Sequence, residues 1–305
     1  MLAAYAQTTE GQWWKELLEH WALPGMDAGT MGLRLAIRDN YLNFYRRGQS
    51  VARVFIGRDG KLSASVHLKY LGADKVLEGK EYARLVDGAF VSVSHPGIPF
   101  VVGQTFPAII QKTEGWTGKE KYFVDLAVAH NASVVDLEVG LPRILDEGGA
   151  PRMDLAVLER GEHSAQIRLV FWEAKTIDDS RLRATNPDTA EVHSQLAKYV
   201  DYMSDDTRRN HAENEYRRNC QLIVELAKLA GKDDFLSPLI HETGNPSADF
   251  FIDPVPRLVI FEGKTQVKGK PCEIRRVRTW SRYQCSLDRR WKVKVFGNET
   301  RFSLA

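Results

Sequence analysis

Two carboxylates and one ammonium are the groups in this chain best spaced for chemistry. Asp154 lies in an apolar run over residues 152–159, and Glu173 and Lys175 lie in a second over residues 167–175. Both runs are short and rich in Val, Leu, Ile and aromatics, with the polar Arg160-Gly161-Glu162-His163-Ser164 between them. This pattern predicts two strands joined as an antiparallel hairpin. The start of one strand then lies beside the end of the other. Asp154 and Glu173, nineteen positions apart, should therefore meet at one end of the sheet. Side chains alternate with period two, so Glu173 and Lys175 share a face. Oxygen donors beside an ammonium suit a divalent cation, with the lysine over a cation-bound water. As plain strand-end charges the acids would face solvent. The adjacent Phe171 and Trp172 argue for a buried strand, where an unpaired carboxylate is costly.

The chain holds two other Glu-x-Lys triplets, Glu78-Gly79-Lys80 and Glu262-Gly263-Lys264. A central glycine suits a turn in each. Asp253 and Glu262 flank one predicted strand over 257–261, so they stand at its opposite ends and cannot share a cation. Only Glu173 has an aspartate across a hairpin.

Arg152-Met153-Asp154, Phe171-Trp172-Glu173-Ala174-Lys175 and Gln195-x-x-x-Tyr199, in that order, resemble the PD-(D/E)XK nuclease superfamily. The Gln-x-x-x-Tyr helix is similar to that of its RecB-like branch. The resemblance covers roughly residues 116–204, and Met153 stands where the family name has proline. It implies an α/β restriction-endonuclease-like core, in the order αβββαβ, with a mixed central sheet flanked by helices. It implies Mg²⁺ or Mn²⁺ held by Asp154, Glu173 and the Ala174 carbonyl, with Lys175 acting on the attacking water. Gln195 and Tyr199 would support the lysine and contact the DNA strand. The helix before the first strand often carries a further acid in this family, and Glu120 matches it. Glu138, near the end of the next strand, is the alternative third acid. A family histidine before the aspartate has His130 as its nearby candidate.

These residues need elements to hold them. Residues 119–130 read as an amphipathic helix, 133–141 as a strand stopped by Pro142, and 192–203 as a helix whose capping box is Asp188 and Glu191. Gln195 and Tyr199 are four apart and so neighbours on one helix face. Arg181 and Arg183 lie in the polar loop after Lys175, where they are candidate phosphate clamps. Residues 207–230 read as a long helix ended by Gly231, 237–256 as an irregular loop long enough to be a flap, and 257–261 as a strand. Residues 274–280 and 291–296 read as a hairpin in a basic tail. Trp280, Tyr283 and Trp291 interleave with its basic residues, a pattern that fits nucleic-acid binding or a lysine-protected sheet edge.

Upstream, residues 10–23 read as a helix with Trp14, Leu17, Leu18 and Trp21 on its core side. Residues 32–71 read as an antiparallel sheet of three or four strands, with a turn at Arg58-Asp59-Gly60. Its arginines, with His67 and Lys69, either line nucleic acid or sit on a solvated face. Residues 81–86 read as a short helix, 95–99 as a loop and 113–118 as a linker. The division expected is thus an N-terminal accessory domain with an antiparallel sheet over 1–112, and the nuclease-like domain with its basic hairpin over 113–305.

At 305 residues, 43% hydrophobic and 27% charged, the composition is that of a globular protein. No apolar run approaches the length of a membrane span, and residues 1–12 lack a basic region of the kind that opens a secretory signal. Three widely spaced cysteines, Cys220, Cys272 and Cys285, form no disulfide or zinc pattern. A cytoplasmic, cation-dependent DNA nuclease serving defence or repair is the leading expectation. A non-catalytic nucleic-acid-binding module of the same fold is the alternative. Nucleic acid is the expected partner, with a protein partner or homodimer left open and no membrane.

Overall fold

The computed structural model describes residues 11–57, 61–71, 82–86, 89–92, 105–141, 151–163, 165–297 and 302–304. The turn read at 58–60, the triplet at 78–80, the loop at 95–99 and the stop at Pro142 lie outside them.

Helix α1 (Gln12–His20) buries Trp14, Leu17 and Leu18, which recur at steps of three and one and so form a single stripe. A six-stranded antiparallel meander follows: β1 (Arg34–Ile37), β2 (Tyr41–Arg46), β3 (Gln49–Ile56), β4 (Leu62–His67), β5 (Tyr82–Val86) and β6 (Ala89–Ser92), paired in chain order. Residues 82–86 are thus a strand, not the short helix expected. Five residues cannot offset the cost of nucleating a helix, whereas the open edge of β4 offers them a ladder, with Ala83 opposite Val66.

Helix α2 (Phe106–Lys112) and a 3₁₀ turn (Thr113–Trp116) lead to α3 (Lys119–His130). The second sheet contains β7 (Val134–Gly140), β8 (Arg152–Arg160), β9 (Ile167–Thr176), β10 (Phe250–Ile252), β11 (Arg257–Phe261) and β14 (Lys292–Phe296). Its order is β14-β11-β9-β8-β7, with β10 also on β9. The β7-β8-β9 pairings are antiparallel, and β9-β11-β14 are parallel. The parallel joins need crossovers. Helices α4 (Glu191–Ser204), α5 (Asp206–Leu229) and α6 (Pro238–Thr243) lie in the connection from β9 to β10 and β11. The hairpin β12 (Gly263–Val267) and β13 (Lys270–Ile274) and helix α7 (Trp280–Arg290) lie in the connection from β11 to β14. The chain is therefore α/β, a mixed sheet and an antiparallel sheet packed with helices. No helix among the described residues is long and apolar enough to cross a membrane.

Three local readings are corrected here. Residues 237–256 are not an irregular flap: Ser237 caps α6 by accepting from Leu239, and Phe250–Ile252 adds a strand to β9. The basic tail is not one hairpin. Trp280 and Leu287 are buried seven residues apart on one side of α7, a helical repeat, and β14 enters the central sheet with Phe296 packed on Phe261. Asp188 and Glu191 form no capping box, because Ala190 is the N-cap of α4 and Asp188 instead accepts a hydrogen bond from Ser286 Oγ.

One apolar cluster runs from Trp14 through both sheets to Leu304. Buried or part-buried ion pairs accompany it: Arg34 with Asp125, Arg38 with Asp136, and Arg46 and Arg47 with Glu114. Four of the arginines noted along the first sheet are thus turned toward the second layer rather than toward a ligand.

Candidate active site

The last regular rung of the β8-β9 ladder pairs Leu155 with Trp172, which places Asp154 beside Glu173 at the next rung. Leu137 and Val139 of β7 pair with Leu155 and Met153, so Glu138 lies level with Asp154 on the other side. Three acids therefore cross three adjacent strands at one height. Glu138 holds φ +52°, a left-handed conformation rare for a residue with a Cβ. Arg38 braces this segment, donating to the carbonyl oxygens of Leu137 at 2.6 Å and Glu138 at 3.1 Å.

Asp154 is 7% exposed and Glu173 3%. The Ala174 N–H donates to Asp154 Oδ2 at 2.8 Å. Gln195 Nε2 donates to Glu173 Oε1 at 2.6 Å, and Lys175 Nζ donates to the same oxygen. Lys175 is wholly buried and also reaches the Ala174 carbonyl at 3.1 Å. Period-two alternation and the hairpin register thus assemble Asp154, Glu173, Ala174 and Lys175, and α4 brings Gln195 to Glu173.

Lys121, on the first turn of α3, was not among the expected residues. Its Nζ lies 2.5 Å from Asp154 Oδ1, 2.8 Å from Glu138 Oε1 and 3.8 Å from Glu120 Oε1. Both candidate third acids therefore gather at one ammonium. Glu120 also pairs with Arg181 at 3.3 Å, and Arg181 pairs with Asp179 at 2.7 Å. The signal for Lys121 in the chain was only its place next to Glu120; nothing in its spacing separates it from Lys119, which pairs with Asp178.

The remaining expected residues sit elsewhere. Tyr199 is fully buried; its ring packs on Phe171 and its hydroxyl donates to the Asp253 carbonyl at 3.3 Å, so its one donor is committed away from Lys175. Arg183 is exposed and donates to the carbonyls of Asp178 and Asp179. His130 accepts from the Phe302 N–H and stacks on Phe302. In the tail, Trp280 is buried and Trp291 donates to His193. The half-buried Trp291 ring also stacks on His193.

The electrostatics follow from this packing. Burial, aided by the Asp154 charge, pushes the Glu173 carboxyl up to about 8, against the pull of Lys175 and Gln195. Burial would raise Asp154 too, but Lys121 and Lys175 outweigh it and hold that carboxyl below its ordinary value. Glu120 is raised by burial and by Asp154. Lys121, despite burial, is held above the usual lysine range by Asp154 and Glu138.

Among the described residues, no group of three or more His, Cys, Asp or Glu converges as a ready set of metal ligands. The donors present are nevertheless hard oxygens, the kind Mg²⁺ and Mn²⁺ take. A cation is already held at one of them, because the Lys121 ammonium lies against Asp154 and Glu138. In donor chemistry alone, these oxygens are of the kind that would suit a divalent ion.

Comparison with protein families, with curated proteins and with solved structures found no match to this chain.

Proposed function

We propose that the chain is a Mg²⁺- or Mn²⁺-dependent nuclease of the PD-(D/E)XK superfamily, RecB-like branch, hydrolysing phosphodiester bonds in DNA. The observation that carries this reading is the meeting of Asp154, Glu173 and Lys175 at one sheet end, with Gln195 bonded to Glu173. The succession α3-β7-β8-β9-α4-β11 supports a restriction-endonuclease-like core, whose order is αβββαβ.

Asp154, Glu173 and the Ala174 carbonyl are the groups that would hold the ion. When bound, the ion supplies a more acidic water and offsets charge on the phosphate in the transition state. Lys175 would orient that water by a hydrogen bond from its ammonium or, as the free amine, take its proton. Gln195 fixes the Glu173 carboxylate, and the Ala174 N–H fixes that of Asp154, so neither acid must reorganise. Arg181 clamps a substrate phosphate on leaving Asp179 and Glu120. Lys121 would have to leave Asp154 for the ion to be held there. Defence against foreign DNA, or repair, in the cytoplasm is the setting proposed for this activity.

Lys121 favours a second reading, a nuclease fold that binds nucleic acid without cutting it, in which the ammonium permanently replaces the ion. Incubation of the full chain with supercoiled plasmid, linear duplex and single-stranded DNA and RNA, with Mg²⁺, Mn²⁺ or EDTA, separates the two. Ion-dependent cleavage that Glu173→Ala abolishes supports the nuclease. Binding without cleavage under every condition supports the module.

A further inference from the structure

The first sheet has a face that the proposed active site does not use. Register rows cross it: Tyr41, Phe55 and Ser63 form one, and Arg53, Ser65 and Arg84 form the next. Period-two alternation puts these six on one side, while Leu42, Val54, Leu62, Ala64, Val66 and Ala83 fill the core from the other. The face is concave, enclosing about 460 Å³ between Arg53, Phe55, the serines, Tyr82 and Arg84.

Its chemistry is specific. The Tyr41 and Phe55 rings lie with centroids 5.5 Å apart and tilted by 37°. The Arg53 guanidinium lies 4.3 Å from the centroid of Tyr82 and 5.5 Å from that of Tyr41, joining the rings into a strip. Buried Arg53 Nε has no hydrogen-bond partner, and neither Arg53 nor Arg84 forms an ion pair among the described residues. Among the described residues, no carboxylate lines the concavity. By contrast Arg34, Arg38, Arg46 and Arg47 of the same sheet all pair with acids. Among the described residues Arg53 therefore lies beside part-exposed rings without an acidic partner, and the small serines line the floor.

We infer that this face binds single-stranded nucleic acid, with bases stacked on Tyr41, Phe55 and Tyr82 and phosphates on Arg53 and Arg84. Flat rings at sheet spacing take bases of any identity, and unpaired guanidinium groups take backbone charge. A duplex keeps its bases stacked on one another and cannot offer them to the rings. An acidic peptide would satisfy the arginines and leave the rings without a partner. The inference is independent of the nuclease reading, because it needs no metal and none of the residues around Asp154.

The test is fluorescence anisotropy of the full chain with labelled oligo(dT) and oligo(U) of about 15 nucleotides, in EDTA, against a duplex of equal length. The expected result is tighter binding of a single strand than of duplex, weakening steeply with salt. Oligo(dT) and oligo(U) together report whether a 2′-hydroxyl matters. Arg84 is exposed, so Arg84→Glu leaves the fold intact and should weaken single-strand binding about tenfold. Tyr82→Leu keeps apolar bulk and should cost about fivefold or more through lost stacking. Arg218→Glu, at an exposed arginine on α5, should change little. The inference is overturned if Arg84→Glu and Tyr82→Leu, shown folded by urea melts, bind single strands like the parent chain. It is equally overturned if duplex binds as tightly as single strands, or if poly-glutamate competes as well as unlabelled oligonucleotide. Loss of plasmid cleavage alone bears only on the nuclease reading.

Discussion

Lys121 Nζ stands 2.5 Å from Asp154 Oδ1, an ammonium from a helix inserted between carboxylates from two strands. The acids thereby have an internal counter-charge, and on the proposed reading a divalent ion would displace a side chain rather than water alone. Lys121→Met should therefore destabilise the metal-free protein, by about 1–3 kcal/mol, because Asp154 and Glu138 lose their partner. The same variant should bind Mn²⁺ about tenfold more tightly, since no ion pair is broken on entry. Differential scanning fluorimetry with and without Mn²⁺, together with calorimetric titration, checks both. Equal Mn²⁺ affinity in the parent and Lys121→Met would show that the lysine does not occupy the ion's position.

The second prediction concerns pH. Glu173 titrates at about 8 in the fold against an ordinary value of 4.5, raised by burial and by Asp154. Between those values the folded chain keeps a proton that the unfolded chain has released. Its contribution to stability is therefore fully present below about 4.5 and fades as pH rises through about 8. In EDTA, urea melts at pH 5, 6, 7 and 8 should show falling stability, roughly 3–4 kcal/mol across the window. Glu173→Gln should flatten that slope. Divalent-ion affinity should rise over the same window, because the ion and the proton compete for one carboxylate. A Glu173→Gln profile as steep as the parent's would assign the pH dependence to another group.

The hairpin tip between β2 and β3 reaches this site. Gly48 adopts φ +73°, and a Cβ there would fall 2.6 Å from Lys121 Cγ. Gly48→Ala thus meets both backbone strain and a clash with the lysine stem. Expected are a loss of about 1–2 kcal/mol of stability and a shift in Mn²⁺ affinity in the direction expected for Lys121→Met. The two readouts together, by urea melt and calorimetry, separate a local effect on Lys121 from general loosening. If stability falls and Mn²⁺ affinity stays unchanged, the tip does not position Lys121.

What the chain displays locally was legible, and what depends on distant packing was not. Residues 152–160 and 167–176 are short apolar runs on either side of a polar turn, buried almost throughout, and their strand state, hairpin and facing acids follow from composition, length and the two-residue period of side chains. Lys175 could be placed beside Glu173 by the same two-residue period. Lys121 could not be placed, because its position depends on how α3 packs across the strand ends. Nor could the parallel joins of β11 and β14, since a crossover leaves no short-range mark. Helix α7 was read as part of a hairpin because it is polar over most of its surface and buries only Trp280, Ser286 and Leu287. Tyr199 shares a helix face with Gln195, yet one turn along that face its hydroxyl meets a carbonyl of the chain after β10 rather than the lysine.

The last prediction separates an enzyme from a binder. Lys175→Ala should abolish cleavage while leaving nucleic-acid binding largely intact. The lysine acts at the water, whereas affinity comes from many dispersed phosphate contacts. The expected loss of rate is at least about 100-fold, or roughly 3 kcal/mol of barrier. Lys175 is also the buried partner of Glu173, so the variant must be shown folded by its urea melt before its rate is read. Gln195→Ala should cost less, since water can take over its single hydrogen bond to Glu173. Single-turnover cleavage and anisotropy on the same substrate give the comparison. If Lys175→Ala cuts at the parent's rate in excess Mg²⁺, the chemistry resides elsewhere. If both proteins bind equally and neither cuts, Lys121 has taken the ion's place for good and the chain is a binding module.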